Sequence, residues 1–245
     1  MLSETTIIPA DIKSELSEFV TQAQIDCSEN LVAVYLYGGI AKEEFDANYS
    51  DINILIVLQK TDIGSLDILN KALEKPLYKI ALNPFILSAD ELENAANLFP
   101  VKFLDIKRNH NLLYGKDVLL TFQINEELLK RNCRRELKNI LFRLNHIYIR
   151  NHASEEVLGN KMKQILPSLL IHLNILGYIK NGQLYKNKEE IIEHISPLFT
   201  LDKSLLLELY HFKKGEQSIL NTDMKKCYGN FMALVKELST NADSL

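Results

Sequence analysis

The sequence predicts an α+β protein in which strands and helices alternate in the first half and a helical bundle follows. Short runs rich in β-branched residues recur between helical patterns up to about residue 120, and only helical periodicity follows them. Charge divides the chain at the same place. Residues 1–120 carry 10 basic and 18 acidic residues, a net −8, whereas residues 121–245 carry 18 and 14, a net +4. We therefore expect one domain at 1–120 and a second at 121–245.

The first half is expected to begin with a helix over residues 10–27, where apolar side chains recur at three- and four-residue steps. Residues 31–37 and 51–58 predict two strands, the second apolar enough to lie inside a sheet. The remaining expectations are a helix over 65–74 ended by Pro76, a strand over 79–87 placed near an edge by Pro84, a helix opened by a Ser88–Glu91 capping pair, and strands over 101–107 and 112–114.

The second half is expected to be helical throughout. Residues 126–150 carry one apolar stripe over about six turns. Residues 157–178 predict another helix, which must bend or break near Pro167. A turn is expected at Asn181-Gly182, and further helices over 188–195, 202–220 and 222–238. Helices of this length with short connections predict a bundle.

Composition excludes several classes of protein. With 47% apolar and 24% charged residues, the chain lies in the globular range. Its three scattered cysteines (Cys27, Cys133 and Cys227) show no metal-ligand spacing and predict a reduced, cytoplasmic protein. No segment matches a signal peptide or the ~20 apolar residues of a membrane span. We expect no membrane partner and no duplex DNA partner, and a homodimer is compatible with the sequence.

Residues 31–58 hold the most informative pattern, in which one predicted strand ends in a Gly-Gly turn and the next opens with Ser-Asp-Ile-Asn. Gly38 and Gly39 allow positive φ and close approach of the backbone to a ligand. Backbone N–H groups at such a turn can cradle a phosphate. Alternation along a strand puts Asp51 and Asn53 on one face. Two oxygen-bearing side chains placed there suit Mg²⁺ that bridges triphosphate oxygens.

This pattern resembles the nucleotidyltransferase superfamily, whose members carry a strand, Gly followed by Gly or Ser, about ten residues, and Asp-x-Asp or Asp-x-Glu. The wording LYG and SDIN looks most like the aminoglycoside (streptomycin-type) adenylyltransferases and minimal nucleotidyltransferase domains. Residues 99–119 are more loosely similar to the end of such domains. The resemblance implies a mixed sheet with flanking helices. It also implies transfer of a nucleotidyl group, adenylyl above all, from a nucleoside triphosphate to an acceptor hydroxyl.

In that family two Mg²⁺ ions sit on three carboxylates. The resemblance matches Gly38 and Gly39 to the turn that holds the phosphates and Ser50 to a β/γ-phosphate donor. It matches Asp51 to the first metal ligand. Asn53 stands where the second carboxylate belongs, and its amide oxygen can ligate Mg²⁺ but brings no charge.

The third carboxylate is expected from residues 101–107, where the family's Phe-Pro-x-Glu-Phe-Leu wording falls on Lys102. The remaining acid is Asp105, which alternation along a strand would place on the opposite face. If Lys102 points inward, its charge and those of Asp51 and Asn53 sum to zero, and two dications are excluded. If Asp105 points inward, the sum is −2 and one Mg²⁺ remains plausible. A third alternative leaves Lys102 solvated at an edge.

Three functions therefore remain open: a nucleotidyltransferase acting on a small-molecule or protein acceptor, a nucleotide-binding module without turnover, and a protein-interaction module. Acidic residues before the motif either attract a cationic acceptor such as an aminoglycoside or are simply solvated; they are Glu43, Glu44 and Asp46. Basic residues on the helix over 126–150 form either a solvated face or a basic wall for triphosphate or RNA; they are Arg131, Arg134, Arg135 and Lys138. His172 is expected to be a hydrogen-bonded core residue.

Overall fold

The computed structural model of the chain describes residues 8–42, 51–215 and 223–245. The chain divides into two compact units, Met1–Asn125 and Glu126–Leu245. The first unit mixes strands and helices, whereas the second is helical over its described residues. The predicted α+β fold class, with a mixed sheet followed by a helical region, is confirmed.

The first unit is built on a four-stranded sheet with the order β3-β2-β1-β4. The first strand, β1, runs antiparallel to β2 and β4, whereas β2 and β3 are parallel. Because β3 lies at an edge, the position predicted from its internal proline is confirmed. The elements are α1 (Ala10–Cys27), β1 (Leu31–Tyr37), β2 (Ile52–Leu58), α2 (Ile63–Lys79), β3 (Leu82–Ser88), α3 (Leu92–Leu98), α4 (Pro100–Arg108) and β4 (His110–Gly115).

The sheet has two faces of different character, because successive strand side chains point to opposite sides. One face packs on α1 and α2, and we call it the closed face; its strand residues include Val34, Leu36, Ile54 and Ile56, each fully buried. The other face packs on α3 and α4, and we call it the α4 face; its strand residues include Tyr35, Tyr37, Leu55 and Val57.

The strand predicted over 101–107 is wrong, because these residues form helix α4. Pro100 occupies the first helical position, where its fixed φ and missing N–H are tolerated. Phe103 and Ile106 are buried against the α4 face at a helical three-residue spacing. The short apolar run Val-Lys-Phe-Leu-Asp-Ile fits either period, and packing on the sheet selects the helix.

Two prolines lie inside helices: Pro76, which was expected to end its helix, and Pro167, near which a bend or a break was expected. Helix α2 continues one turn past Pro76, so that the following strand begins at Leu82. Pro167 lies within the uninterrupted helix α6. The N–H and hydroxyl of Ser88 both donate to the Glu91 carboxylate, at 3.2 and 2.7 Å, but the predicted capping pair is wrong, because Glu91 itself is the N-cap residue of α3 and no side chain caps that helix. The helix itself begins at Leu92.

The second unit consists of α5 (Glu126–Asn151), α6 (Glu155–Asn181), α7 (Lys188–Ile195), α8 (Lys203–Lys214) and α9 (Met224–Asp243). Helices α5, α6 and α9 pack on one another, and α6 also packs on α7 and α8. The predicted stripe on α5 is buried at Leu129, Cys133, Leu137, Ile140 and Leu144. Within the described ranges, no helix is long and apolar enough to cross a membrane.

Candidate functional site

The candidate site lies where the polar end of the α4 face meets the glycine turn after β1. Strand pairing aligns four residues in one row across the sheet, which we call the polar row: Asn83, Asn53, Tyr37 and His110. The next row inward is largely apolar: Phe85, Leu55, Tyr35 and Leu112. Hydrogen-bonding side chains are thus concentrated at this end of the sheet.

Gly38 follows Tyr37, the last residue of β1, and so lies at the edge of this row. Its φ of +81° is a left-handed conformation that residues with a Cβ rarely adopt. A Cβ at this position would also lie 3.0 Å from Asn53 Nδ2. Gly39 then opens a short 3₁₀ helix, Gly39–Lys42, in which the Ala41 N–H donates to the Gly38 carbonyl oxygen at 3.1 Å. The structure therefore places the glycine turn directly against the Asn53 side chain.

Asn53 lies on the α4 face in register with Tyr37, whereas the same face predicted for Asp51 stays a prediction, since β2 begins at Ile52. The Oδ1 atom of Asn53 accepts a hydrogen bond from Asn83 Nδ2 at 2.9 Å, so the two amides form a ladder across β2 and β3. Asp51 directly precedes β2 and is exposed to solvent. Ser50, the predicted phosphate donor, lies outside the described residues, as do Glu43, Glu44 and Asp46.

Lys102 reaches the α4 face from the first turn of α4. Its Nζ lies 3.5 Å from the centroid of the Phe85 ring and 6.0 Å from that of Tyr37. Both rings neighbour Asn53 in the sheet, Tyr37 in the same row and Phe85 one row inward. Burial lowers the pKa of the Lys102 ammonium. Among the described residues, no carboxylate forms an ion pair with it.

Asp105 follows Lys102 by three residues, which on a helix places the two side chains on neighbouring positions of one side. The predicted opposition of their faces is therefore wrong, since it assumed a strand. Asp105 Oδ1 accepts from Asn109 Nδ2 at 3.0 Å. Burial raises the pKa of Tyr37, and the negative charge of Asp105 raises it further. Both alternatives for the third metal-site position thus lie close to Tyr37.

These side chains do not fit the two-metal site that the family resemblance implies. Over the described part of the chain, no three His, Cys, Asp or Glu residues cluster closely enough to hold a metal ion. The Asn53 amide oxygen is bound to Asn83, and the Lys102 ammonium stands beside the same row. A cation next to a candidate metal position opposes the binding of Mg²⁺.

A hydrogen-bonded network at the other end of the polar row was not predicted from the sequence. Tyr35 Oη accepts from the Val118 N–H at 2.8 Å and lies 3.2 Å from the Lys116 carbonyl oxygen. His110 packs edge-on against the Tyr35 ring, and its Nε2 lies 3.2 Å from Asp117 Oδ2. No local pattern links Tyr35 to residues more than eighty positions away, so only strand pairing brings them together.

Two of the four basic residues of α5, for which a solvated face and a basic wall were the alternatives, contact the end of α9. Arg134 Nε donates to the Ala242 carbonyl oxygen at 2.8 Å, and Lys138 lies 3.1 Å from an oxygen of Asp243. Cations at the carboxyl end of a helix are favourable, because the unpaired carbonyls there carry partial negative charge. These two side chains therefore hold the end of α9.

No family model matches the chain, and no curated protein matches it. Among solved structures, the chain is similar to spectinomycin adenyltransferase AAD(9) from Enterococcus faecialis, whose crystal structure contains ATP and spectinomycin. The TM-score is 0.55 at 13% sequence identity, over 91% of this chain and 99% of that one. A likeness at this identity establishes the fold, which is nucleotidyltransferase-like.

Proposed function

We propose that this nucleotidyltransferase-like chain binds a nucleoside triphosphate at the Gly38–Asn53 end of the α4 face and that its transfer activity is reduced or lost. The observation that carries the proposal is the closeness of the glycine turn to Asn53, since a Cβ at Gly38 would lie 3.0 Å from Asn53 Nδ2. A left-handed glycine followed by a 3₁₀ turn directs successive backbone N–H groups to one side, an arrangement that binds phosphate oxygens. Asn53 adds a hydrogen-bonding amide beside that turn.

Reduced turnover is supported by the charges around the polar row. Phosphoryl-type transfer depends on positioning and on neutralisation of developing charge, which the superfamily obtains from metals on carboxylates. Here Asn53 brings no charge, and the residue that resembles the third carboxylate is Lys102. Asp105 lies nearby but accepts a hydrogen bond from Asn109. Binding therefore fits these residues better than metal-assisted chemistry.

Adenylyl transfer to an acceptor hydroxyl is the second candidate. It is supported by the likeness in fold to an adenyltransferase whose structure contains ATP and spectinomycin, and by Asp51, which is retained and exposed. A small molecule or a protein would be the acceptor. Incubation with α-labelled ATP, Mg²⁺ and candidate acceptors tests it: a transferase releases pyrophosphate and labels the acceptor, and Asp51→Ala abolishes both. If the unaltered protein labels the acceptor no more than Asp51→Ala does, the result supports a binding module without turnover.

The binding proposal is tested with two glycines of the same backbone conformation. Gly38 and Gly182 have φ of +81° and +76°, but a Cβ at Gly182 would meet nothing within 4 Å. Alanine at either position is expected to cost about 1–2 kcal/mol of stability, because of the left-handed backbone. Only Gly38→Ala also forces a Cβ against Asn53, so only this variant should lose affinity for ATP.

Thermal denaturation gives the stability of each variant, and calorimetric titration gives its affinity for ATP, GTP, CTP and UTP. The expected result is a similar fall in melting temperature for both variants and a loss of nucleotide binding for Gly38→Ala alone. Absence of binding of all four triphosphates to the unaltered protein, with Mg²⁺ and with EDTA, would refute the proposal. Equal ATP affinities for Gly38→Ala and Gly182→Ala would mean that the glycine turn is not part of the nucleotide site.

A further inference from the structure

The environment of the Lys102 ammonium is unusual for a lysine beside a candidate metal position. It lies over the Phe85 ring and near the Tyr37 ring, and burial lowers its pKa. The rings attract a cation through their negative faces, and this attraction holds the ammonium in place without neutralising it. None of the described residues forms an ion pair with it, and an ammonium held by ring faces can still donate to an anionic ligand.

The position of this charge relates it to the polar row. Phe85 and Tyr37 lie on β3 and β1, the two strands that flank β2, which carries Asn53. The ammonium thus stands over the part of the sheet that Asn53 and the glycine turn border. Lys102 also belongs to the first turn of α4, where no side chain caps the helix. The partial positive charge of that helix end adds to the field of the ammonium.

A divalent cation and this ammonium are alternative sources of the positive charge that a bound triphosphate needs. Lys102 is exposed as a residue, but its ammonium is partly desolvated beside the rings, and a like charge placed there is repelled, so Mg²⁺ is disfavoured where the ammonium stands. A triphosphate, in contrast, gains a charge-assisted hydrogen bond from a lysine that has already lost part of its hydration. The side chain that rules out the metal can therefore supply the positive charge that a bound triphosphate needs.

We infer that Lys102 substitutes for the metal, so that this site binds the phosphates of a nucleoside triphosphate through the Lys102 ammonium without a divalent cation. The inference rests on the proposed function, because it concerns the same site. It assigns Lys102 a specific role in ligand binding. It also predicts that the affinity of the site for nucleotide does not depend on Mg²⁺.

The test measures the affinity for ATP by calorimetry in excess EDTA and in excess Mg²⁺. The unaltered protein is expected to bind with affinities that agree within about threefold in the two buffers. Lys102→Met, which keeps the aliphatic packing and removes the charge, should weaken binding in EDTA by about tenfold or more. Lys102→Glu should bind in Mg²⁺ and fail in EDTA, because it restores a carboxylate at this position.

The second unit offers a matched control. Lys163 Nζ lies 3.5 Å from the centroid of the Phe212 ring, the same distance as Lys102 from Phe85. Lys163→Met removes an equivalent cation–π contact and should leave ATP affinity unchanged. Binding that requires Mg²⁺, or equal ATP affinities for Lys102→Met and the unaltered protein, would overturn the inference while leaving the proposed function standing. No binding in either buffer would overturn both.

Discussion

The two faces of the sheet in the first unit are covered by two helices each, yet their side chains differ. Along β2 the closed face is apolar from end to end, with Ile52, Ile54, Ile56 and Leu58 all buried. The α4 face is apolar only inward of the polar row. The α4 face, which Leu119 and Phe122 also help to cover, carries amide, hydroxyl and imidazole groups at one end. Because the proposed ligand site lies on the α4 face, substitutions on the two faces are expected to differ in their effects on stability and on nucleotide binding.

Neighbouring residues of β2 give the largest expected contrast between the faces. Ile54 is fully buried in the closed face, and Ile54→Ala is expected to cost about 2–5 kcal/mol because it opens a cavity. Asn53 points to the opposite face, and its hydrogen bond to Asn83 is exposed. Asn53→Ala should therefore change stability by well under half of that amount but weaken ATP binding.

Urea denaturation and ATP titration of the two variants separate the effects. For Ile54→Ala we expect a low unfolding midpoint and a retained ATP affinity, measured where this variant is folded. For Asn53→Ala we expect a midpoint near that of the unaltered protein and a weakened ATP affinity. If Asn53→Ala is the less stable of the two and binds ATP normally, the polar row is part of the core and not a ligand site.

Local pattern was sufficient to predict one side of this comparison. The apolar run of β2 and the glycine turn after β1 can be recognised from a few neighbouring residues, and α1, β1 and β2 form where expected. The α4 face depends on contacts distant in sequence. Lys102 acquires its position from Phe85 and Tyr37, and the choice of helix over strand for α4 depends on burial of Phe103. Residues 101–107 show no clear period, so their sequence alone predicts neither the position of Lys102 nor the burial of Phe103.

Within the α4 face, two tyrosines of β1 separate packing from hydrogen bonding. Tyr35 Oη accepts from the Val118 N–H, and burial raises the pKa of Tyr35 to about 12. Tyr35→Phe leaves that N–H without its partner and should cost about 1–3 kcal/mol. Tyr37 lies two residues along the same face, and no hydrogen bond of its hydroxyl to another described residue is present. Tyr37→Phe should accordingly cost less.

Chemical denaturation of the two phenylalanine variants measures this difference directly. Hydrogen exchange of the Val118 amide offers a second readout, since only Tyr35→Phe should accelerate it. A larger loss of stability in Tyr37→Phe would mean that the hydroxyl at the polar row, and not the network around Asp117, holds this end of the sheet.

The smallest expected effect comes from His172, a buried polar group of helix α6 in the second unit. It is 7% exposed, and its Nδ1 lies 2.7 Å from the Ser168 carbonyl oxygen, as expected for a core residue. Burial lowers the pKa of His172 and outweighs the opposing influences of that hydrogen bond and of Glu136. Because the unfolded chain then binds the proton more readily, the free energy of unfolding should fall as the pH decreases below about 6.5. Unfolding free energies measured from pH 7 to pH 5 should fall less steeply for His172→Gln, and parallel curves for the two proteins would contradict this role.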